Sequence, residues 1–120
     1  MLETKQQVLE TYQPQAQLCQ ALNHPVRLAI LDILREGEQC VCHMEAILGL
    51  RQAYISQHLM LLREAGLVED RRDGWNIFYH VSRPEVHQIA DALRMLAGQP
   101  RRKLVHIHAP TECPCPKCNS

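Results

Sequence analysis

The chain has 120 residues, enough for one domain with a single core and too few for two well-buried ones. Thirteen Lys and Arg balance thirteen Asp and Glu, so the overall basic charge that announces many nucleic-acid binders is absent, and any DNA contact has to come from locally segregated charge. The composition is globular, no apolar run approaches the ~18 residues of a bilayer span, and MLETKQQVLE holds no signal-peptide core, so a soluble cytoplasmic protein with no membrane partner is expected.

Two peripheral helices come first, residues 3 to 12 with Val8, Leu9 and Tyr12 on a weak stripe, and residues 15 to 22 beyond Pro14. Asn23-His24-Pro25 opens the best-formed helix, with Val26, Ala29, Ile30, Ile33 and Leu34 on one face and Gly37 as its stop. Residues 42 to 48 allow two helical turns. Gly49-Leu50 separates them from residues 52 to 65, where Ile55, Leu59 and Leu62 recur at helical spacing. Two short helices about a glycine turn predict a helix-turn-helix. Residues 67 to 71 then read as a strand, Asp73-Gly74 as a turn, and Ile77, Tyr79 and Val81, alternating with Phe78 and His80, as a second strand. This hairpin has the size of a wing. Pro84 opens a last helix whose stripe of Val86, Ile89, Ala90, Leu93 and Leu96 is suited to covering a partner subunit.

The expected fold class is therefore mainly α with a small β-hairpin, a winged helix-turn-helix. The chain divides into an N-terminal helical arm (1–22), a DNA-binding core (23–83), a C-terminal helix (84–99) and a His/Cys/Pro-rich tail (100–120).

From Arg51 through Arg63 there are two arginines and no acid, so the second helix of the pair is locally positive in a neutral chain. Its apolar residues share one side, leaving Gln52, Ala53, Ser56 and Gln57 outward. Glutamine pairs bidentately with adenine, serine donates or accepts, and alanine admits a thymine methyl. The candidate DNA contacts are Arg51, Gln52, Ala53, Tyr54, Ser56, Gln57 and Arg63, with Arg71 and Arg72 of the hairpin placed to hold flanking phosphates. His58, beside Leu59, is expected to pack or cap within the unit, and His24, His80 and His87 read as capping or strand-surface residues.

Six cysteines in a reducing compartment read as metal or redox groups in preference to structural disulfides. Cys40 and Cys42 stand two residues apart where a helix begins, and a helix N-terminus favours thiolate over thiol. Soft thiolates select cadmium, lead, zinc, copper(I) or arsenic(III) over magnesium or calcium. Two ligands bind weakly, so a third has to come from Cys19 or from the tail, where Cys113, Cys115 and Cys118 follow His106 and His108 on a proline-stiffened backbone. Against this, Cys19 beside Leu18 also reads as a small buried hydrophobe.

These residues resemble the ArsR/SmtB family of metal- and metalloid-responsive repressors. Three stretches carry the resemblance: Ala21 to Leu31; Glu38-Gln39-Cys40-Val41-Cys42, similar to the family's metal box; and Ile55 to Val68, similar to its recognition helix and first wing strand. The resemblance implies a homodimer joined through N- and C-terminal helices, an inverted-repeat double-stranded DNA operator, and release of that operator when a thiophilic ion such as arsenic(III), antimony(III), cadmium, lead or zinc binds. Departures are Arg51 where the family often has a capping serine, and Met44, Glu45 and Ala46 where an arsenic-sensing subset carries a further cysteine. Glu85 and His87 echo half of the zinc-sensing site on the last helix, but Gly98 and Arg101 stand where its other half belongs.

Two other functions compete. The thiols can serve a redox or persulfide sensor on the same DNA-binding head, a reading that expects Cys40 or Cys42 to meet a distant cysteine because thiols at i and i+2 bridge poorly. The tail can instead mark a metal-storage or delivery protein. Neither a Ser-His-Asp order nor a phosphate-binding glycine loop is present, so no enzyme is expected.

Overall fold

The structure is a computed structural model in which residues 4–101 are described. Six helices and three strands follow one another: α1 (Lys5–Thr11), α2 (Gln13–Leu22), α3 (Pro25–Ile33), a 3-10 turn (Leu34–Glu36), β1 (Gln39–Cys40), α4 (Val41–Leu48), α5 (Gln52–Glu64), β2 (Val68–Asp73), β3 (Asn76–Val81) and α6 (Glu85–Leu96).

Helix α3 starts where Pro25 supplies a pre-set φ and His24 supplies the cap. The His24 Nδ1 accepts the Val26 N–H at 3.1 Å, which satisfies one of the orphan donors of the first turn. The helix hands over to a 3-10 turn before Gly37, earlier than the expected stop. Ile30, Leu31 and Ile33 of α3, Met44 of α4, Ile55, Leu59 and Leu62 of α5, Val68 of β2 and Val86 of α6 form the centre of the core, none more than 2% exposed. Each such side chain contributes about 1.5–3 kcal/mol by leaving water. Helices α4 and α5 therefore meet α3 over a dry layer, and their hinge is Gly49, whose positive φ of 66° suits a residue without Cβ.

The hairpin has one more strand than expected. Gln39 and Cys40 pair with Tyr79 and Phe78, giving a three-stranded antiparallel sheet in the order β1-β3-β2. Two residues are too few to display the period-2 pattern by which strands are read. Strand β2 also runs to Asp73, so the connecting loop is Gly74-Trp75, with Asp73 opposite Asn76. A two-residue hairpin of this kind calls for positive φ, which Gly74 supplies at 63°. Trp75, the only tryptophan of the chain, stands fully in solvent at the tip.

Helices α1, α2 and α6 leave apolar side chains in solvent, including Leu9, Tyr12, Leu18, Ile89, Leu93 and Leu96. An open groove between α2, α3 and α6 continues that surface, with Cys19, Leu28, Ile47 and Ala97 in its lining. Arg35 ties α6 to α3 through a two-pronged contact with Asp91, at 2.9 and 3.2 Å, and a third bond to Asp32 at 3.0 Å.

Candidate nucleic-acid interface and thiol site

Helix α5 carries most of the side chains expected to contact DNA. Its N-cap, Arg51, has extended backbone and makes no side-chain cap, so the first-turn amides of α5 are not closed off by that residue. Arg51, Gln52, Ala53, Tyr54 and Gln57 are exposed, whereas Ser56 is half-buried on the flank of the helix. Arg63, near the helix end, is exposed and lies 3.4 Å from Asp70 of β2.

Behind this surface is a polar cluster that clamps α5 to the start of α3. Arg27, only 8% exposed, donates through Nε to the Ala21 carbonyl at 2.6 Å, through Nη2 to the Gln20 carbonyl at 3.3 Å, and through Nη1 to His58 Nδ1 at 3.0 Å. Because guanidinium only donates, His58 Nδ1 has to be an acceptor, which fixes the neutral ring. The His58 ring lies 4.2 Å from that of His24 and meets Tyr54 edge-on at 4.7 Å. Burial, followed by the nearby charge of His24 and Arg27, pushes the His58 pKa below the ordinary imidazole range. Tyr54, read from sequence as a DNA contact, is thus also a bracket: its hydroxyl lies 3.5 Å from His24 Nε2. The sequence placed His58 inside the unit and His24 at a cap, and both are found there. The role of Arg27, 31 residues from His58, left no local signal.

The thiols sit where the sheet meets the helix-turn-helix. Cys40 ends β1 and is the N-cap of α4; Cys42 lies in the first turn. Cys40 is 4% exposed and packs with Phe78, and Cys42 is half-buried against them. The two are joined as a disulfide, with Cα atoms 5.4 Å apart. This corrects the expectation that neighbours at i and i+2 bridge poorly. In a straight strand such Cα atoms stand about 6.6 Å apart, at the far edge of what a disulfide spans; here the backbone turns from extended into helical at Cys40 and the separation is 5.4 Å.

Cys19 also departs from expectation. It is exposed in α2, not a buried hydrophobe. Among the described residues no three of His, Cys, Asp and Glu converge as a metal site, so within them Cys19 does not complete a triad with Cys40 and Cys42. Cys113, Cys115 and Cys118 lie outside the described residues.

The wing arginines differ from one another. Arg71 is engaged by Glu38, through Nη2 at 2.6 Å and Nε at 3.1 Å, and its guanidinium lies 4.9 Å over the Phe78 ring. Arg72 is exposed and has no ion pair among the described residues. In the sequence Glu38 stands only as the first residue of the stretch similar to the family's metal box. Its partner is 33 residues away, and nothing local pointed to it.

A helix-turn-helix with a glycine hinge, a recognition helix with a polar outer face, and a hairpin running from its end define a winged helix-turn-helix regulator. The family described as bacterial regulatory protein, arsR family, matches residues 24–70. The biofilm growth-associated repressor of Xylella fastidiosa is 42% identical over 78 residues, 65% of this chain and 68% of that protein. The arsenic resistance transcriptional regulator ArsR1 of Pseudomonas putida is 47% identical over 75 residues, 62% of this chain and 57% of that one. Among solved structures, NolR from Sinorhizobium fredii superposes with a TM-score of 0.72 at 35% identity, over 83% of this chain and 100% of that chain. The chain belongs to the ArsR/SmtB family and is a transcriptional repressor of that family, not an enzyme.

Proposed function

We propose that this chain acts as a homodimer on an inverted-repeat operator, with α5 in the major groove, and that it releases the DNA when a thiophilic metal or metalloid ion binds Cys40 and Cys42 as thiolates. The observation that carries this reading is the position of the two sulfurs: side by side at the start of α4, the first helix of the helix-turn-helix, and packed on the wing strand through Phe78. A change in their spacing is felt by both DNA-contacting elements. Dimerisation through α1, α2 and α6 accounts for the apolar side chains those helices leave in solvent. Gln52, Ala53 and Gln57 face base edges with Ser56 at the margin, Tyr54 brackets the helix, Arg51, Arg63 and Arg72 serve phosphates, and Arg71 reaches a phosphate only when Glu38 gives it up.

The residues fit a soft ion in part. Two sulfurs of the right chemistry are adjacent, and once reduced they offer two thiolates beside a helix N-terminus that favours the charged form. The third donor comes from Cys113, Cys115 or Cys118, or from Cys19 of a partner subunit. Arsenic(III), antimony(III), cadmium, lead and zinc are the candidate inducers. By linkage, an ion that weakens DNA binding is itself bound less tightly by the DNA-bound dimer.

The test is a mobility shift with the reduced chain on the promoter upstream of its own gene. Cys40→Ser and Cys42→Ser are expected to bind the duplex as the wild type does and to ignore added ion. Release of DNA by the double variant on ion addition would overturn the assignment.

A second reading is favoured by the disulfide itself: a dithiol that regulates the operator by closing on its neighbour. Both thiols lose a proton and the pair loses two electrons to a low-molecular-weight disulfide, which leaves as two thiols. This reading predicts DNA release by such an oxidant with a chelator present and recovery on reduction. The ion reading predicts no response under those conditions.

A further inference from the structure

Cys40, Phe78 and Arg71 occupy one row across the sheet: Cys40 is opposite Phe78 on β1 and β3, and Phe78 is opposite Arg71 on β3 and β2. Directly opposed residues put their side chains on the same face. The contacts follow that geometry, since Phe78 packs on Cys40 below while the Arg71 guanidinium lies over its ring at 4.9 Å. The far end of the row turns back on itself. Glu38, two residues before Cys40, takes Arg71 in a two-pronged ion pair.

An arginine on a wing can serve phosphate only with the donors it has to spare. Bidentate carboxylate and phosphate compete for the same fork of N–H groups. The Glu38 side chain is 25% exposed, beside a half-exposed arginine, so it holds a seat that a phosphate oxygen would otherwise take. We propose that Glu38 is a positioning residue for operator binding: it holds Arg71 against Phe78 and away from the DNA backbone, and so sets operator affinity from within the thiol segment.

This rests on the DNA-binding reading above and deepens it. Glu38 belongs to the same short segment as Cys40, so a displacement of β1 moves the carboxylate relative to the guanidinium. The row supplies the physical connection between thiol and wing. The pair also accounts for a property of the sequence: a neutral chain, with acids around the thiols, spends one of them on restraining a DNA-facing charge. Consistent with tight pairing, Glu38 raises the pKa of Arg71 further above its ordinary value.

The test is a double-mutant cycle on a labelled operator duplex, read by fluorescence anisotropy across a salt series with the full reduced chain. Glu38→Gln is expected to tighten binding about tenfold and to steepen the slope of log K against log salt by roughly one per protomer, since one more phosphate is neutralised. Arg71→Ala, which removes an arginine that Glu38 already keeps off the phosphates, is expected to leave affinity and slope close to those of the wild type. In the Arg71→Ala background, Glu38→Gln should bring no further gain.

If the Glu38→Gln gain persists without Arg71, loss of a negative charge near DNA explains it and the positioning role is overturned. An unchanged salt slope in Glu38→Gln overturns it as well. If the wild type fails to bind the duplex at low salt, the DNA-binding reading itself falls and takes this inference with it, an outcome visible before any variant is made.

Discussion

The two joints that hold α5 and the wing are built from different materials. Helix α5 is fixed to α3 by Ile55, Leu59 and Leu62 in the central core and by buried Arg27, which bonds His58 of α5 and two carbonyls of α2. The wing is fixed to the thiol segment by a two-residue strand, a satellite core of Cys40 and Phe78, and an ion pair in half-exposed surroundings. Burial makes the first joint stiff, because any displacement opens a cavity or strands a polar group. The second exchanges an ion pair with water at little cost. On the proposed reading, α5 stays in register on the DNA while the wing responds.

The largest effect that sharpens this contrast is at Leu59. Leu59→Ala should cost about 3 kcal/mol of stability by urea unfolding, since the site has no route to collapse between α3 and α5. Next comes Arg27→Met, which removes the donor from His58 and from the Ala21 and Gln20 carbonyls; a loss of about 2 kcal/mol is expected. A loss under half of that would mean that apolar packing alone holds α3 against α2 and α5.

A smaller effect is set by pH. The folded state holds His58 below its ordinary pKa, so the unfolded chain binds the proton more readily, and stability from this group is fully present above about pH 6.5. It is lost as pH falls through the depressed folded value. His58→Gln should therefore flatten the melting temperature between neutrality and mild acid; an unaltered slope would transfer the effect to His87, whose pKa burial and then Arg35 also lower. The smallest expected change is at the wing, where Arg71→Ala should leave the melting temperature where it was. A clear drop would show that the second joint is structural after all, and the contrast would dissolve.

The helices of the reading head were legible because their apolar residues repeat with the helical period and because Gly49 and Gly66 punctuate them. The thiol segment was legible as chemistry and not as geometry. Strand β1 is too short to carry a period, so the neighbour of Cys40 across the sheet, Phe78, had no signature in the sequence. The turn from strand to helix at Cys40, which brings the two sulfurs together, is a backbone event between two elements that pattern reading treats separately. Both side-chain links that distinguish the joints, Arg27 to His58 and Glu38 to Arg71, span more than thirty residues and exist only once the fold has brought their elements together.

Trp75 stands at the wing tip, wholly in water and away from the core. As the only indole in the chain, it makes the tryptophan emission of this protein a property of one loop. Its surroundings before and after unfolding are both aqueous, so an emission-based denaturation curve should be nearly flat while circular dichroism records the collapse of the helices. With excitation at the red edge of indole absorption, where the three tyrosines do not absorb, that emission is a label built into the wing.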